Sequence, residues 1–201
     1  MTPPPAENRR RTILEAALRV MATEGIAGAS IKRIAREAGL ASPSLIYHYF
    51  RDKDALADAV VSELSPLVQE TRDPAALMAL PPEVALPRLM HAYYATLDAP
   101  YGRELLRIFF GEAIRTPDLA SGHAAGQRAV VAFLSGYLAH QVEAGRLRPH
   151  DVESGARIFL GSMFAFVLTT ELMPHLGEGM PERETYVREA IAVFLRGLAS
   201  P

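Results

Sequence analysis

The sequence predicts an all-α protein: an N-terminal three-helix head with helix-turn-helix spacing, followed by a C-terminal helical bundle, about nine helices in all. Three observations carry this. Apolar residues recur at helical spacing through most of the 201 residues. No stretch sustains the two-residue alternation of a strand, and β-branched residues are sparse. The periodic segments are separated by boundaries rich in proline, glycine and capping residues.

In chain order, Thr2 to Ala6 is proline-rich and reads as a mobile arm, taken as residues 1–7. From Asn8, Ile13, Leu14, Ala17, Leu18 and Met21 form one helical stripe, which Gly25 ends. Ser30 is placed to cap a helix with Ile31, Ile34, Ala35 and Ala38 on its buried face. Gly39 then ends that helix. Ser42 and Pro43 suit the start of the next one, with Ile46, Tyr49 and Phe50 turned inward. Asp52 caps a helix carrying Leu56, Val60 and Leu64, and Pro66 predicts a kink before Leu67, Val68 and Thr71 resume it. Residues 73–82 read as a loop. Later helices are expected over 83–98, from Gly102 to about Arg115, and from the Thr116-Pro117-Asp118 start to about Ala144. Two more follow, over 151–173 and 182–198. The expected division is 1–53 for the head and 54–201 for the bundle.

Nearly half of the chain is hydrophobic, enough for a sizeable core, and the net charge is only −2. The charge is unevenly placed. Residues 1–53 carry Arg9, Arg10, Arg11, Arg19, Lys32, Arg33, Arg36, Arg51 and Lys53 against Glu7, Glu15, Glu24, Glu37 and Asp52. The head is therefore net +4 and the remainder net −6. A basic head on an acidic body suits a protein that meets phosphate only through its head. There is no cysteine, so disulfides, thiolate chemistry and Cys-type zinc sites are absent. The N-terminus has no apolar secretory segment. The most apolar run, Ile158 to Leu168, is about half of what a membrane helix requires. The expectation is a soluble, cytoplasmic protein with no membrane partner.

Between Ser30 and Lys53, the outward positions Ser42, Ser44, Tyr47 and His48 form a polar, hydroxyl-rich and aromatic face braced by a basic helix. That is what a helix-turn-helix presents to a major groove. Amphipathic helix pairs of this size also occur in all-α proteins that never meet DNA. The stretch Arg11 to Leu56 resembles the DNA-binding domain of the tetracycline-repressor-like (TetR/AcrR) regulators. The likeness is carried by Ile13-Leu14-Glu15-Ala16-Ala17, Gly25, Ser30, Ile34-Ala35, Ala38-Gly39, Ile46-Tyr47-His48-Tyr49-Phe50, Lys53 and Leu56. One departure is that Ala38-Gly39-Leu40-Ala41-Ser42 is one residue longer than the family's usual turn; the extra residue is assigned to the turn itself.

The resemblance implies a homodimer that sets two recognition helices into successive major grooves of a near-palindromic operator in double-stranded DNA. It also implies a small-molecule effector inside each C-terminal bundle, which shifts the helix beginning at Asp52 and releases the DNA. Tyr47, Tyr49 and Lys53 match the family's phosphate-gripping positions, although Tyr49 also suits a half-buried core ring. Ser42, Ser44 and His48 are candidates for base edges, with Pro43 setting the helix start. Leu45 suits a thymine methyl or simple packing. Ser30, Lys32 and Arg33 approach the DNA backbone from the preceding helix. The run Arg9 to Arg11 suits either phosphate contact or plain solvation.

In the bundle, Tyr93, Tyr94, Phe109, Phe110, Phe133, Tyr137, Phe159, Met163 and Phe164 suit either ordinary core or a pocket for an apolar or aromatic molecule. Arg107, Glu112, His123 and His140 are its polar candidates. The helices around Ile158–Leu168 and Tyr186–Leu198 have apolar faces broad enough for a four-helix dimer interface. The chain has no H-E-x-x-H, Walker loop, G-x-S-x-G or dinucleotide fingerprint, so no catalytic residue, cofactor or metal is expected. A helical protein-binding adaptor or a helical enzyme without a motif would leave the basic head and the Tyr47, Tyr49 and Lys53 set unexplained.

Overall fold

The computed structural model of the chain describes residues 6–115 and 125–199, with backbone alone at 6–7, 109–115 and 125–127. Ten α-helical segments and no strand occur among the described residues. They are α1 (Ala6–Gly28), α2 (Ile31–Glu37), α3 (Lys53–Leu64), α4 (Pro66–Glu70), α5 (Pro74–Met78), α6 (Pro82–Asp98), α7 (Gly102–Arg115), α8 (Ala125–Glu143), α9 (Val152–Val167) and α10 (Arg183–Leu198). A 3-10 helix, Pro43–His48, stands between α2 and α3. A π turn, Leu168–Leu172, prolongs α9. The all-α expectation holds.

The segments divide into two compact units, one comprising residues up to Gln69 with Ala95–Gln127, the other Glu70–Tyr94 with Arg128 onward. In the first, the α1 stripe of Ile13, Leu14, Ala17, Leu18 and Met21 is at most 2% exposed. It shares one core with Ile34, Ile46, Phe50, Leu56, Val60 and Leu64. Each such aliphatic side chain contributes roughly 1.5–3 kcal/mol when fully buried. Leu105 and Ile108 of α7 belong to the same cluster. Their i, i+3 spacing gives α7 one apolar edge, and that edge packs on α1. In the second unit, Tyr94, Tyr137, Leu138, Phe159 and Met163 are almost fully buried.

Several boundaries differ from the sequence reading. Helix α1 begins at Ala6, so Ala6 and Glu7, expected in the arm, are already helical. Residues 1–5 and the predicted helix start at 116–118 lie outside the described residues. Pro66 breaks the helix rather than kinking it. The buried Ser65 takes an extended conformation, its hydroxyl accepts from the Val68 N–H, and α4 starts afresh on Pro66. The expected loop at 73–82 contains α5, because the Asp73 carboxylate caps the Ala75 N–H at 3.3 Å and Pro74 suits a first turn. Val152–Leu172 is 21 residues and apolar enough, by length and composition, to cross a membrane. This corrects the half-length estimate, which counted only the densest run. The segment carries the Glu153–Arg157 ion pair and buries Phe159, Met163, Phe166 and Val167 as a core helix does.

Candidate nucleic-acid interface and effector region

Helix α2 is closed at both ends by local chemistry. The Ser30 hydroxyl accepts from the Arg33 N–H at 3.2 Å. At the other end Gly39 takes φ +65°, its N–H bonds Arg36 O at 3.2 Å, and the Leu40 N–H bonds Ala35 O at 2.9 Å. That pair of bonds is the Schellman arrangement, and it requires the left-handed conformation that glycine adopts without steric cost. The longer turn is thus accommodated by Leu40, half-buried against the core, and exposed Ala41.

The recognition element follows as a 3-10 helix rather than the α-helix its spacing suggested. Pro43 has no N–H to give, and Ser42 caps the next donor (Ser44 N–H, 3.3 Å). Three residues per turn eclipse i and i+3, so Ser44 and Tyr47 form one row and Leu45 and His48 another. Ile46 is fully buried, while Tyr47 is 55% exposed and Pro43, Ser44 and His48 are exposed. Tyr49 and Leu45 are half-buried. The Ser42 and Ser44 hydroxyls bond each other at 2.7 Å, so two of the three base-edge candidates present a paired donor and acceptor.

The head's charges are not equally available. Arg33 pairs with Glu24 and Glu37, Arg19 with Glu37, Arg11 with Glu15 and Arg51 with Asp52. Hydrogen bonds from Arg19 and Arg33 hold the Glu37 carboxyl below its ordinary range. The Ala55 N–H, then Arg51, do the same for Asp52. The Lys53 ammonium donates to the carbonyls of Ile26 and Ala27, both at 2.9 Å, which leaves one of its three protons uncommitted. Lys32 and Arg36 are exposed and have no side-chain partner among the described residues. Arg36 was absent from the sequence-derived site; its position off the apolar stripe was the available signal. Ser30 is exposed but its hydroxyl serves the cap.

In the second unit the aromatic candidates are mostly committed to packing. The Tyr137 hydroxyl donates to Leu80 O at 2.8 Å, and Phe159 packs on Phe194. Tyr94 contacts Tyr93 and Phe166, with the Arg183 guanidinium 5.6 Å from its ring centre. Its hydroxyl reaches Met163 O at 3.5 Å, the limit of a hydrogen bond. Burial pushes Tyr93 up to about 12. Tyr93, Phe133 and Phe164 are half-buried. Arg107 is exposed on α7 in the first unit. The side chains of Phe109, Phe110 and Glu112, and the whole of His123, lie outside the described residues. The structure thus brings Tyr93, Tyr94 and Met163 together, and Tyr94, Met163, Tyr137 and Phe159 are all almost fully buried. On the outside of α9 and α10, Ile158 (64% exposed) and Val193 (63% exposed) border an apolar groove with Ala190 and Phe194.

Sequence profiles of two domains match this chain in order: bacterial regulatory proteins of the tetR family over residues 13–60, and the C-terminal domain of AefR-like transcriptional repressors over residues 84–198. The chain belongs to the tetR family. One relative within curated proteins is the HTH-type transcriptional regulator BetI of Rhizobium meliloti, 30% identical over 112 residues, 55% of each chain. The chain thus spans about half the length of that relative. TetR-family structures share the fold. AibR, solved with isovaleryl coenzyme A and operator DNA, is 22% identical with a TM-score of 0.62, over 92% of this chain and 97% of that one. FadR of Bacillus subtilis, solved with stearoyl-CoA, is 17% identical with a TM-score of 0.68, over 93% and 98%.

Proposed function

We propose that this TetR-family chain is a ligand-responsive repressor that binds a near-palindromic operator as a homodimer and leaves it when a small, mostly apolar molecule occupies the body. The observation that carries the reading is the exposed row of Ser44 and Tyr47 beside His48, on a capped 3-10 element whose opposite side, Ile46, is fully buried. Tyr47, with the uncommitted charges of Lys32 and Arg36, serves as a phosphate contact; Ser44 and His48 serve as base-edge readers. Residues 1–53 act as the reading part and 54–201 as the sensing and pairing part.

The apolar groove of α9 and α10 takes the same face of a second copy, which is how a two-fold dimer is built. Tyr93, Tyr94, Met163 and Phe164 contribute to the effector site. The acyl-CoA molecules bound by AibR and FadR support an acyl group as the effector's apolar part. Genomic DNA as partner places the protein in the cytoplasm, and the chain works by binding rather than catalysis. Repeated selection from random duplex DNA tests this. The expected product is a two-fold site with half-sites about one helical turn, or a multiple of it, apart. A pool that stays random at low salt refutes the proposal.

A further inference from the structure

Two contacts converge on Arg10 in the first turns of α1. Its guanidinium pairs with the Glu63 carboxylate near the end of α3. The same guanidinium lies 4.7 Å from the centre of the Phe50 ring. Phe50 is 4% exposed, and its N–H bonds Ile46 O at 3.0 Å, which closes the C-terminal end of the 3-10 helix. Glu63 is tied down in turn, because the Gln69 side-chain amide donates to its main-chain carbonyl. Arg10 therefore joins two places that matter to reading: the end of α3, just before the break at Ser65, and the ring that seats the recognition element.

We infer that Arg10 is a positioning residue for duplex binding: held by Glu63, it braces Phe50 and so fixes where the Ser44 and Tyr47 row stands. This deepens the regulator reading and rests on it. The guanidinium is committed on two sides. Its side chain is only 35% exposed and that of Glu63 28%, so the pair is partly shielded and less weakened by solvent than an open surface pair. A ring face within 6 Å of a guanidinium is an attractive contact in its own right. A change in the pitch of α3 moves Glu63, and Arg10 carries that movement to Phe50.

The rival account makes Arg10 a phosphate contact, as part of the basic run Arg9 to Arg11. The two differ in sign. If Arg10 touches phosphate, Glu63 competes for it, so Glu63→Gln tightens binding; as a positioning pair, Glu63→Gln weakens it. The experiment measures affinity for a duplex enriched by the full-length protein, between about 50 and 200 mM salt, for Arg10→Met, Arg10→Lys, Glu63→Gln and the Arg10→Met/Glu63→Gln pair.

The expected losses are about threefold for Glu63→Gln and about tenfold for Arg10→Met, the range for one partly exposed charged contact. The double variant is no worse than Arg10→Met, Arg10→Lys recovers most of the loss, and the salt slope stays that of the parent. Tighter binding by Glu63→Gln, a slope smaller by about one in Arg10→Met, or unchanged affinity in all variants overturns the inference. If Arg10→Met does not fold, Glu63→Gln alone carries the same opposed signs. A parent protein with no preferred duplex fails earlier, at the regulator reading itself.

Discussion

Replacing Lys53 by Met tests both the bonds its ammonium makes to the end of α1 and the phosphate contact expected of it. Its bonds to Ile26 O and Ala27 O fasten the C-terminal end of α1 to the first residue of α3. Those carbonyls lie past Gly25, where the helix is interrupted at φ +75°. A hydrogen bond from a charged group contributes about 1.5–3 kcal/mol when well buried. Here one bond is part-buried and the other exposed, so Lys53→Met should cost about 1–2 kcal/mol in total. The cation also faces helix C-terminal carbonyls, a favourable placement lost with the charge. Urea unfolding with tryptophan-free detection, by circular dichroism, measures the stability change. Lys53→Gln keeps two neutral donors and should lose less. The third proton is free for phosphate, so the operator-binding salt slope should also fall by about one. Stability unchanged within about 0.3 kcal/mol would refute the fastening role.

Tyr137→Phe removes the bond to Leu80 O from a ring that is fully buried; it should cost about 1 kcal/mol in thermal unfolding and leave effector affinity unchanged, whereas a lost effector response would return Tyr137 to the binding site. Acid should weaken the head. Glu37 and Asp52 have folded pKa values below their ordinary range, so their contribution is present above about pH 4.3 and is lost as pH falls through the folded values. A Glu37→Gln head should show a shallower loss in a pH series of unfolding midpoints, and an unaltered slope would count against the Arg19 and Arg33 bonds. Val193→Glu buries like charges at a two-fold contact, so dimerisation should weaken by about 100-fold or more; sedimentation that still shows a dimer would place the interface elsewhere.

Much of the head was legible because its signals are local. Ser30, Gly39 and Asp52 announce their caps by residue type and spacing, and the α1 stripe from Ile13 to Met21 is buried as its periodicity requires. What was not legible depends on neighbours distant in the chain. Nothing in sequence joins Lys53 to Ile26, or Arg10 to Phe50 and Glu63. The 3-10 geometry of Pro43–His48 differs from an α-helix by one hydrogen-bond register, which inward positions at i, i+3 and i+4 do not distinguish. Aromatic content could not divide core from effector site, because Tyr137 and Tyr94 look alike in sequence. The partners of the two hydroxyls, at 2.8 and 3.5 Å respectively, become visible only in the fold.

The central claim is that the Ser44 and Tyr47 row reads a duplex. It is tested most directly by comparing the dissociation constants of an enriched two-fold duplex and the same duplex with both half-sites scrambled, at one salt concentration. The account predicts a ratio of at least about 10³, reduced at one base position by Ser44→Ala and left nearly intact by Tyr47→Phe, which weakens both duplexes alike. Equal affinity for the two duplexes, with the protein folded, would contradict it.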